Sequence, residues 1–140
     1  MRDPRIVGIR NAWHFESWSP VQALRERKHF VDSLRAQATP DSDLDGAAMI
    51  FAELVGNVVR HAGGPVHIDV VWRNDGHARL SVRDRGPGFA YLPAALDPYT
   101  DSGRGLFIVN ALGEGLEVQQ TEEGACVEVL LPVWRAPALA

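Results

Sequence analysis

The sequence predicts an α+β domain built as a two-layer sandwich, in which about three helices cover one face of a mixed, mostly antiparallel sheet. Three observations support this fold class. Some stretches repeat apolar residues at helical spacing, and others alternate apolar and polar residues as strands do. The predicted elements then follow the order β, α, α, β, β, α, β, β, which is typical of helices packed on one face of such a sheet.

The first half of the chain contains one strand and two helices. Residues 8–16 are predicted to form the first strand. Segment 19–22, Ser-Pro-Val-Gln, offers an N-cap hydroxyl, a proline at the first helical position and a capping-box glutamine. The helix that starts there is expected to end at segment 39–41, Thr-Pro-Asp. A second helix is expected from Ser42 or Asp43 to about Ala62, before Gly-Gly-Pro.

The second half contains two hairpins and a third helix. Strands are predicted over Val66–Arg73 and up to Asp84, around an Asn-Asp-Gly turn at 74–76. Residues 89–102 are predicted to form a loop, followed by a helix from Gly105 to about Leu112. The last hairpin joins strands 116–121 and 125–133.

Size and composition favour one globular domain over residues 1–140, with a disordered tail at 135–140. The net charge of −4 gives no basic stripe, so direct binding to nucleic acid is not expected. Cys126 is the only cysteine, which excludes an internal disulfide and a cysteine-rich metal site. The N-terminus lacks a signal-peptide pattern and no apolar run is long enough to span a bilayer, so we expect a cytoplasmic protein without a membrane segment.

Glu53, Asn57 and His61 are spaced at i, i+4 and i+8 in the second helix. In an α-helix this spacing drifts only about 40° per step, so the three side chains share one face. One interpretation is a solvated or salt-bridged stripe. The other is a magnesium site, in which the Asn57 oxygen binds the ion and Glu53 accepts a proton from an attacking hydroxyl.

Two glycine segments follow. Asp84 enters the turn Asp-Arg-Gly86-Pro-Gly88, which is either an ordinary strand-end turn or a place where Asp84 binds an exocyclic amine such as that of adenine. Gly103 and Gly105 precede the third helix, whose N-terminus favours phosphate. The pattern is neither the dinucleotide fingerprint nor a P-loop, and the protein-kinase signature set is missing.

Together, the three segments resemble the N, G1 and G2 boxes of the GHKL ATPases, which have the Bergerat fold of histidine-kinase-type ATPase domains. The resemblance extends from the first helix to the last hairpin. The box E-x-x-x-N-x-x-x-H and the single-domain organisation are most similar to the stand-alone anti-sigma-factor serine/threonine kinases of bacteria.

The resemblance implies ATP and Mg²⁺ as cofactors. It makes Glu53 the general base, Asn57 the magnesium ligand and Asp84 the adenine-binding aspartate. The loop 89–102 would be the ATP lid. Since no Lys or Arg occurs between Arg85 and Arg104, Arg104 would supply the positive charge there. The implied nucleotide-binding residues are Asn57, His61, Asp84, Gly86, Gly88, Gly103, Arg104, Gly105 and Leu106.

The implied activity is transfer of the γ-phosphoryl group of ATP to a serine of a small anti-anti-sigma protein. The implied second activity is sequestration of a sigma factor, and such proteins are typically homodimers. Two alternatives are a nucleotide-gated protein-binding module and an upstream switch kinase with little catalytic activity of its own. A histidine-kinase catalytic domain working in trans is disfavoured by the leading glutamate of the first box and by the short lid.

The remaining histidines and tryptophans are interpreted as structural. His14, His29, His67 and His77 lack ligand spacing with each other, so no metal role is expected for them. The four tryptophans are expected to pack in the core or at its edges, although an exposed one would suit a partner surface.

Overall fold

The computed structural model describes residues 10–62, 64–85, 101–121 and 124–136, with all of their side chains except those of 10, 11, 61, 62, 101–106 and 121. Five strands form one sheet in the order β1-β2-β3-β5-β4. Every neighbouring pair is antiparallel, so the predicted fold class is confirmed but the predicted mixed character is wrong for the described strands. The strands are β1 (Arg10–Ser17), β2 (Val66–Trp72), β3 (His77–Asp84), β4 (Glu114–Thr121) and β5 (Gly124–Trp134).

One face of this sheet packs against the helices. Along β3 the alternate residues Ala78, Leu80 and Val82 are buried, as the period of two requires for a strand covered on one side. Phe30 and Phe51 stack in the helix layer with ring centroids 4.6 Å apart, and both are fully buried. The helices are α1 (Pro20–Leu24), α2 (Arg27–Arg35), α3 (Leu44–Asn57) and α4 (Asp101–Leu112). None of these described helices has the length and apolar character needed to cross a membrane.

The first predicted helix is in fact two, because the chain breaks between α1 and α2 at Arg25 and Glu26. The Arg25 N–H donates to the carbonyls of both Val21 and Gln22, and the Glu26 N–H donates to Ala23. Such i→i+3 bonds tighten the last turn of a helix. No glycine or proline lies at the break, so the sequence pattern predicted one continuous helix.

The start of α1 is as predicted. The Ser19 hydroxyl accepts the Gln22 N–H at 3.3 Å. The second bond of the capping box, from the Gln22 side chain back to the N-cap, is bridged by Ser17. The Ser17 hydroxyl donates to the Gln22 side chain at 2.8 Å and accepts the Ser19 N–H at 3.0 Å. These bonds satisfy donors that a bare helix end would leave unpaired.

α3 begins close to the predicted position, with Asp43 as its N-cap accepting the Gly46 N–H at 2.8 Å. After Asn57 the chain continues to the predicted end at Ala62, but as a π-helical turn, Val58–Ala62, rather than as α-helix. A π turn bonds residue i to i+5 and is often found at functional sites. The α-helical spacing used for prediction therefore holds from Glu53 to Asn57 and not beyond.

α4 begins at Asp101, four residues before the predicted start at Gly105, so Asp101 and Ser102 are helical rather than part of a loop. The last strand continues to Trp134, one residue past its predicted end at Val133. Arg135 forms a bridge with Ala38, and its N–H donates to the Gly76 carbonyl at 2.9 Å. Residues 137–140 of the predicted tail lie outside the described residues.

The tryptophans occupy different environments. Trp72 is buried, as predicted, and Trp13 stacks on Phe15 at 5.8 Å. Trp18 is 85% exposed, which contradicts its predicted packing role. It follows the end of β1 and precedes α1, so it lies where neither the sheet nor the helix layer covers it.

Candidate nucleotide-binding site

Asn57 and Asp84 lie at the same end of the molecule. Asp84 is the last residue of β3 and pairs with Val66, the first residue of β2. α3 starts at the opposite end, where the Asp43 N–H donates to the Pro132 carbonyl near the end of β5. At about 1.5 Å per helical residue and about 3.4 Å per strand residue, α3 and β3 cover similar lengths. The last turn of α3 therefore places Asn57 at the end of the sheet that carries Asp84.

Asn57 is fully buried in the last turn of α3. Its Oδ1 accepts a hydrogen bond of 2.6 Å from Arg60 Nη2. Its Nδ2 has no hydrogen-bond partner among the described residues. An unsatisfied buried amide costs about 1–3 kcal/mol. The fold keeps this side chain at a cost to stability, as expected where a ligand completes the hydrogen bonding.

Glu53 is half-buried and lies one helical turn before Asn57. Its neighbours Leu54 and Val55 are buried in the core, so the helix presents them to the sheet and turns Glu53 away from the apolar interior. A carboxylate that keeps contact with solvent beside a buried amide can reach a ligand that enters from outside. The general-base role of Glu53 stays a prediction.

Asp84 is only 4% exposed and continues the buried alternation of β3, so its side chain lies on the helix-covered face. Gly124 of β5 lies directly against its backbone. A Cβ built on Gly124 would be 2.0 Å from the Asp84 carbonyl oxygen, and Gly124 has a φ of +144°. Only glycine fits this close approach. The structure thus holds Asp84 in place through a residue that sequence reasoning had not assigned to the site.

The other predicted site residues are only partly described. The backbone of His61 is in the π turn, and Gly103, Arg104, Gly105 and Leu106 lie in the N-terminal half of α4, which packs against α3. The side chains of these residues lie outside the description. Gly86, Gly88 and the predicted lid up to residue 100 lie outside the described residues altogether. The roles predicted for these residues therefore stay predictions.

A cleft of about 730 Å³ opens at the same end of the sheet. Its described lining includes Asp84 but neither Glu53 nor Asn57, and it includes Arg83, Cys126 and Glu128, which alternate with the core-facing residues. It therefore extends over the uncovered face rather than under the helices. Burial raises the pKa of the Cys126 thiol above its ordinary 9.0. We do not identify this cleft with the predicted nucleotide pocket.

The described side chains fit a magnesium nucleotide. Mg²⁺ prefers oxygen ligands and takes few of them from protein. Asn57 Oδ1 already binds a positive group, the guanidinium of Arg60. Arg60 was not predicted as a site residue, although its position three residues after Asn57 in a helix is a signal that could have found it.

Comparison with known proteins identifies the family of this domain. Residues 18–131 match the family described as histidine kinase-like ATPase domain. The sensor histidine kinase component HK1 of Mycobacterium tuberculosis is 32% identical over 124 residues, which cover 74% of this chain and 73% of that protein.

Solved structures show the same fold. The histidine kinase domain of a blue-light activated histidine kinase from Erythrobacter litoralis superposes with a TM-score of 0.53, at 20% identity over 64% of this chain and 44% of its own. Full-length ShkA, solved in complex with AMPPNP, also gives 0.53, at 23% identity over 84% of this chain. This chain spans only 30% of ShkA, and less than half of the light-activated domain. By sequence match and by fold, the chain belongs to the histidine kinase-like ATPase domains of the GHKL superfamily.

Proposed function

We propose that this chain binds ATP with Mg²⁺ between α3, the end of β3 and the start of α4, and transfers the γ-phosphoryl group to a serine of a small anti-anti-sigma protein. The observation that supports this most strongly is the pair Asn57 and Asp84. Both are polar, both are buried, and both lie at one end of an otherwise apolar interface. Taking a polar side chain out of water is costly, so two buried polar side chains at one place favour a ligand site.

Each side chain has a separate task in the proposed reaction. Asp84 accepts a hydrogen bond from the exocyclic amine of adenine, and Asn57 Oδ1 holds the magnesium ion. The ion, when bound, neutralises charge on the phosphates. Glu53, one turn before Asn57, accepts the proton of the attacking serine hydroxyl. Arg104, near the start of α4, supplies positive charge beside the phosphates.

The proposed regulatory role is sequestration of a sigma factor by the nucleotide-bound homodimer, in the cytoplasm. It rests on the resemblance of the Glu53–His61 box to anti-sigma-factor kinases. The two alternatives, an upstream switch kinase and a nucleotide-gated binding module, use the same nucleotide pocket. They differ from the main proposal in how the partner protein responds to the nucleotide-bound state. Loss of partner binding on removal of ATP, with no labelled acceptor, would identify the gated module.

A second candidate function is phosphorylation of a histidine on another protein, as the catalytic component of a histidine kinase. The named relatives support it, since the HK1 protein is called a sensor histidine kinase component and this chain covers 73% of it. A neutral imidazole attacks without losing a proton first, whereas a serine hydroxyl must lose one. The two candidates therefore differ in how much they need Glu53.

The test combines Glu53→Gln with the chemical stability of the product. With radiolabelled ATP and a candidate anti-anti-sigma protein, the wild type should give a phosphoserine that survives acid and is lost in alkali. Glu53→Gln should bind ATP normally and transfer about 10²–10⁴-fold more slowly. The matched control, Glu117→Gln on exposed β4, should behave as the wild type.

Other outcomes decide against the serine assignment. A product that is lost in acid and survives in alkali is phosphohistidine, and it would establish the second candidate. Serine transfer that Glu53→Gln leaves unchanged would remove Glu53 as the base.

A further inference from the structure

Four polar side chains meet on the face of the sheet that the helices do not cover. In the pairing of β1 with β2, His14 stands opposite Asp69 and Glu16 stands opposite His67. Residues two apart in a strand lie on the same face, so all four side chains point to one side. The intervening Phe15 and Ile68 point to the other side, where Ile68 is fully buried.

The distances within this group are short. His14 Nδ1 is 2.7 Å from Asp69 Oδ1, and His67 Nε2 is 3.0 Å from Glu16 Oε2. The two imidazole rings lie 4.9 Å apart between centroids. One ligand atom from each of His14, His67 and Asp69 lies within 4.8 Å of the others. Sequence reasoning found no ligand spacing among the histidines, because the two are brought together by strand pairing rather than by their separation along the chain.

We propose that His14, His67 and Asp69 form a binding site for a divalent transition metal, with Zn²⁺ as the best match, on the uncovered face of β1 and β2. Two imidazoles and a carboxylate are ligands that zinc takes, and a site with three protein ligands keeps a fourth position for water or another group. Glu16, beside His67 Nε2, is placed to fill or border that position.

The backbone needs no change to form the site. Ligand atoms about 2.0–2.2 Å from a tetrahedral ion lie roughly 3.3 Å from each other. The contact between His14 and Asp69 would lengthen slightly from 2.7 Å and the remaining ligand atoms would approach. The four side chains are 40–61% exposed, so their rotamers can adjust while the strand ladder stays fixed.

Charge also favours a cation here. With both imidazoles neutral, Glu16 and Asp69 give the group itself two negative charges. A divalent ion would balance both. Two described arginines lie nearby. Arg83 stands opposite His67 in the pairing of β2 with β3, and Arg85 lines an adjoining cleft of about 290 Å³ with Glu16, Trp18 and His67. That cleft gives solvent and small ligands access to the open coordination position.

The experiment is calorimetric titration of the untagged, nucleotide-free chain with ZnCl₂. We expect saturable binding of one equivalent, and at least tenfold weaker binding for His67→Ala and for the isosteric Asp69→Asn. His29→Ala is the matched control, because His29 is an exposed histidine on α2 that contacts Glu26 and should leave zinc affinity unchanged. Substitution with Co²⁺ should give the intense visible bands of a four-coordinate ion.

Several results would overturn the proposal. These are non-saturable zinc binding, wild-type affinity in both His67→Ala and Asp69→Asn, or equal loss of affinity in the His29 control. Any of them would leave the group as two hydrogen-bonded pairs without a metal.

Discussion

Arg60 Nη2 lies 2.6 Å from Asn57 Oδ1, so the amide oxygen predicted to hold magnesium already accepts a hydrogen bond from a cation. A guanidinium and Mg²⁺ repel each other at such a distance. Arg60 is exposed and belongs to the π turn, so its side chain has room to withdraw. We infer that metal binding and the bond between Arg60 and Asn57 exclude one another.

Arg60→Ala should therefore lower the Mg²⁺ concentration needed for half-maximal ATP binding, by about tenfold. Hydrogen bonds that involve a charged group contribute about 1.5–3 kcal/mol, and roughly 1.4 kcal/mol is a factor of ten. The measurement is a Mg²⁺ titration at fixed concentration of a fluorescent ATP analogue. Lys28→Ala, which removes one positive charge from the exposed side of α2, controls for net charge. A higher Mg²⁺ requirement in Arg60→Ala would mean that Arg60 binds phosphate instead of competing.

Asp84→Asn should abolish the stabilisation that ATP and Mg²⁺ give the wild type. A ligand that binds only the folded state adds about 2.7 kcal/mol at a concentration 100 times its Kd. The amide presents an N–H₂ donor to the adenine amine, which is also a donor, so nucleotide affinity is lost. Thermal unfolding with and without ATP measures this. An unchanged melting temperature in the wild type would refute the nucleotide site itself.

Gly124→Ala should strongly destabilise the end of β3 that carries Asp84. The new Cβ would overlap the Asp84 carbonyl oxygen at a φ of +144°, and backbone strain and overlap together should cost about 3 kcal/mol. Gly115→Ala is the matched control. Gly115 also has a positive φ, +61°, but among the described residues a Cβ there would meet just Leu130 at 4.0 Å, so about 1–2 kcal/mol is expected. Denaturant unfolding measures both, and equal losses would show that the overlap is relieved.

The Cys126 thiol gives a pH-dependent prediction. Its pKa is raised in the folded state mainly by burial, although the Arg83 side chain opposes the shift. The folded state therefore holds this proton more tightly than the unfolded chain, and its contribution to stability is lost as pH rises above about 9. Cys126→Ser should show a smaller drop in stability than the wild type between pH 7.5 and 10. A larger drop in the serine variant would contradict the sign.

The sequence was most informative where a local pattern determines the structure. The alternation of Ala78, Leu80 and Val82, the Asn-Asp-Gly turn and the N-cap at Ser19 each depend on neighbouring residues, and the structure confirms them. Local patterns are weaker at helix breaks, because the charged residues around Glu26 suit both a continuous helix and a break.

Contacts between segments that are distant in the sequence could not be predicted from local patterns. His14 and Asp69 meet only because β1 and β2 pair in one register, and a shift by one residue would move both side chains to the core face. Gly124 meets Asp84 across a pairing of β3 with β5 for the same reason. The bond between Arg60 and Asn57 lies within one helix, yet the π turn that follows Asn57 has no recognised sequence signal here.

That turn also sets how this segment tolerates changes in length. A π turn holds one residue more than an α turn, so a single deletion within Val58–Ala62 can be absorbed by regularising the helix. The same deletion earlier in α3 would rotate every later side chain by about 100° and take Asn57 off its face. Homologues that differ by one residue between Asn57 and β2 should therefore keep the positions equivalent to Glu53 and Asn57.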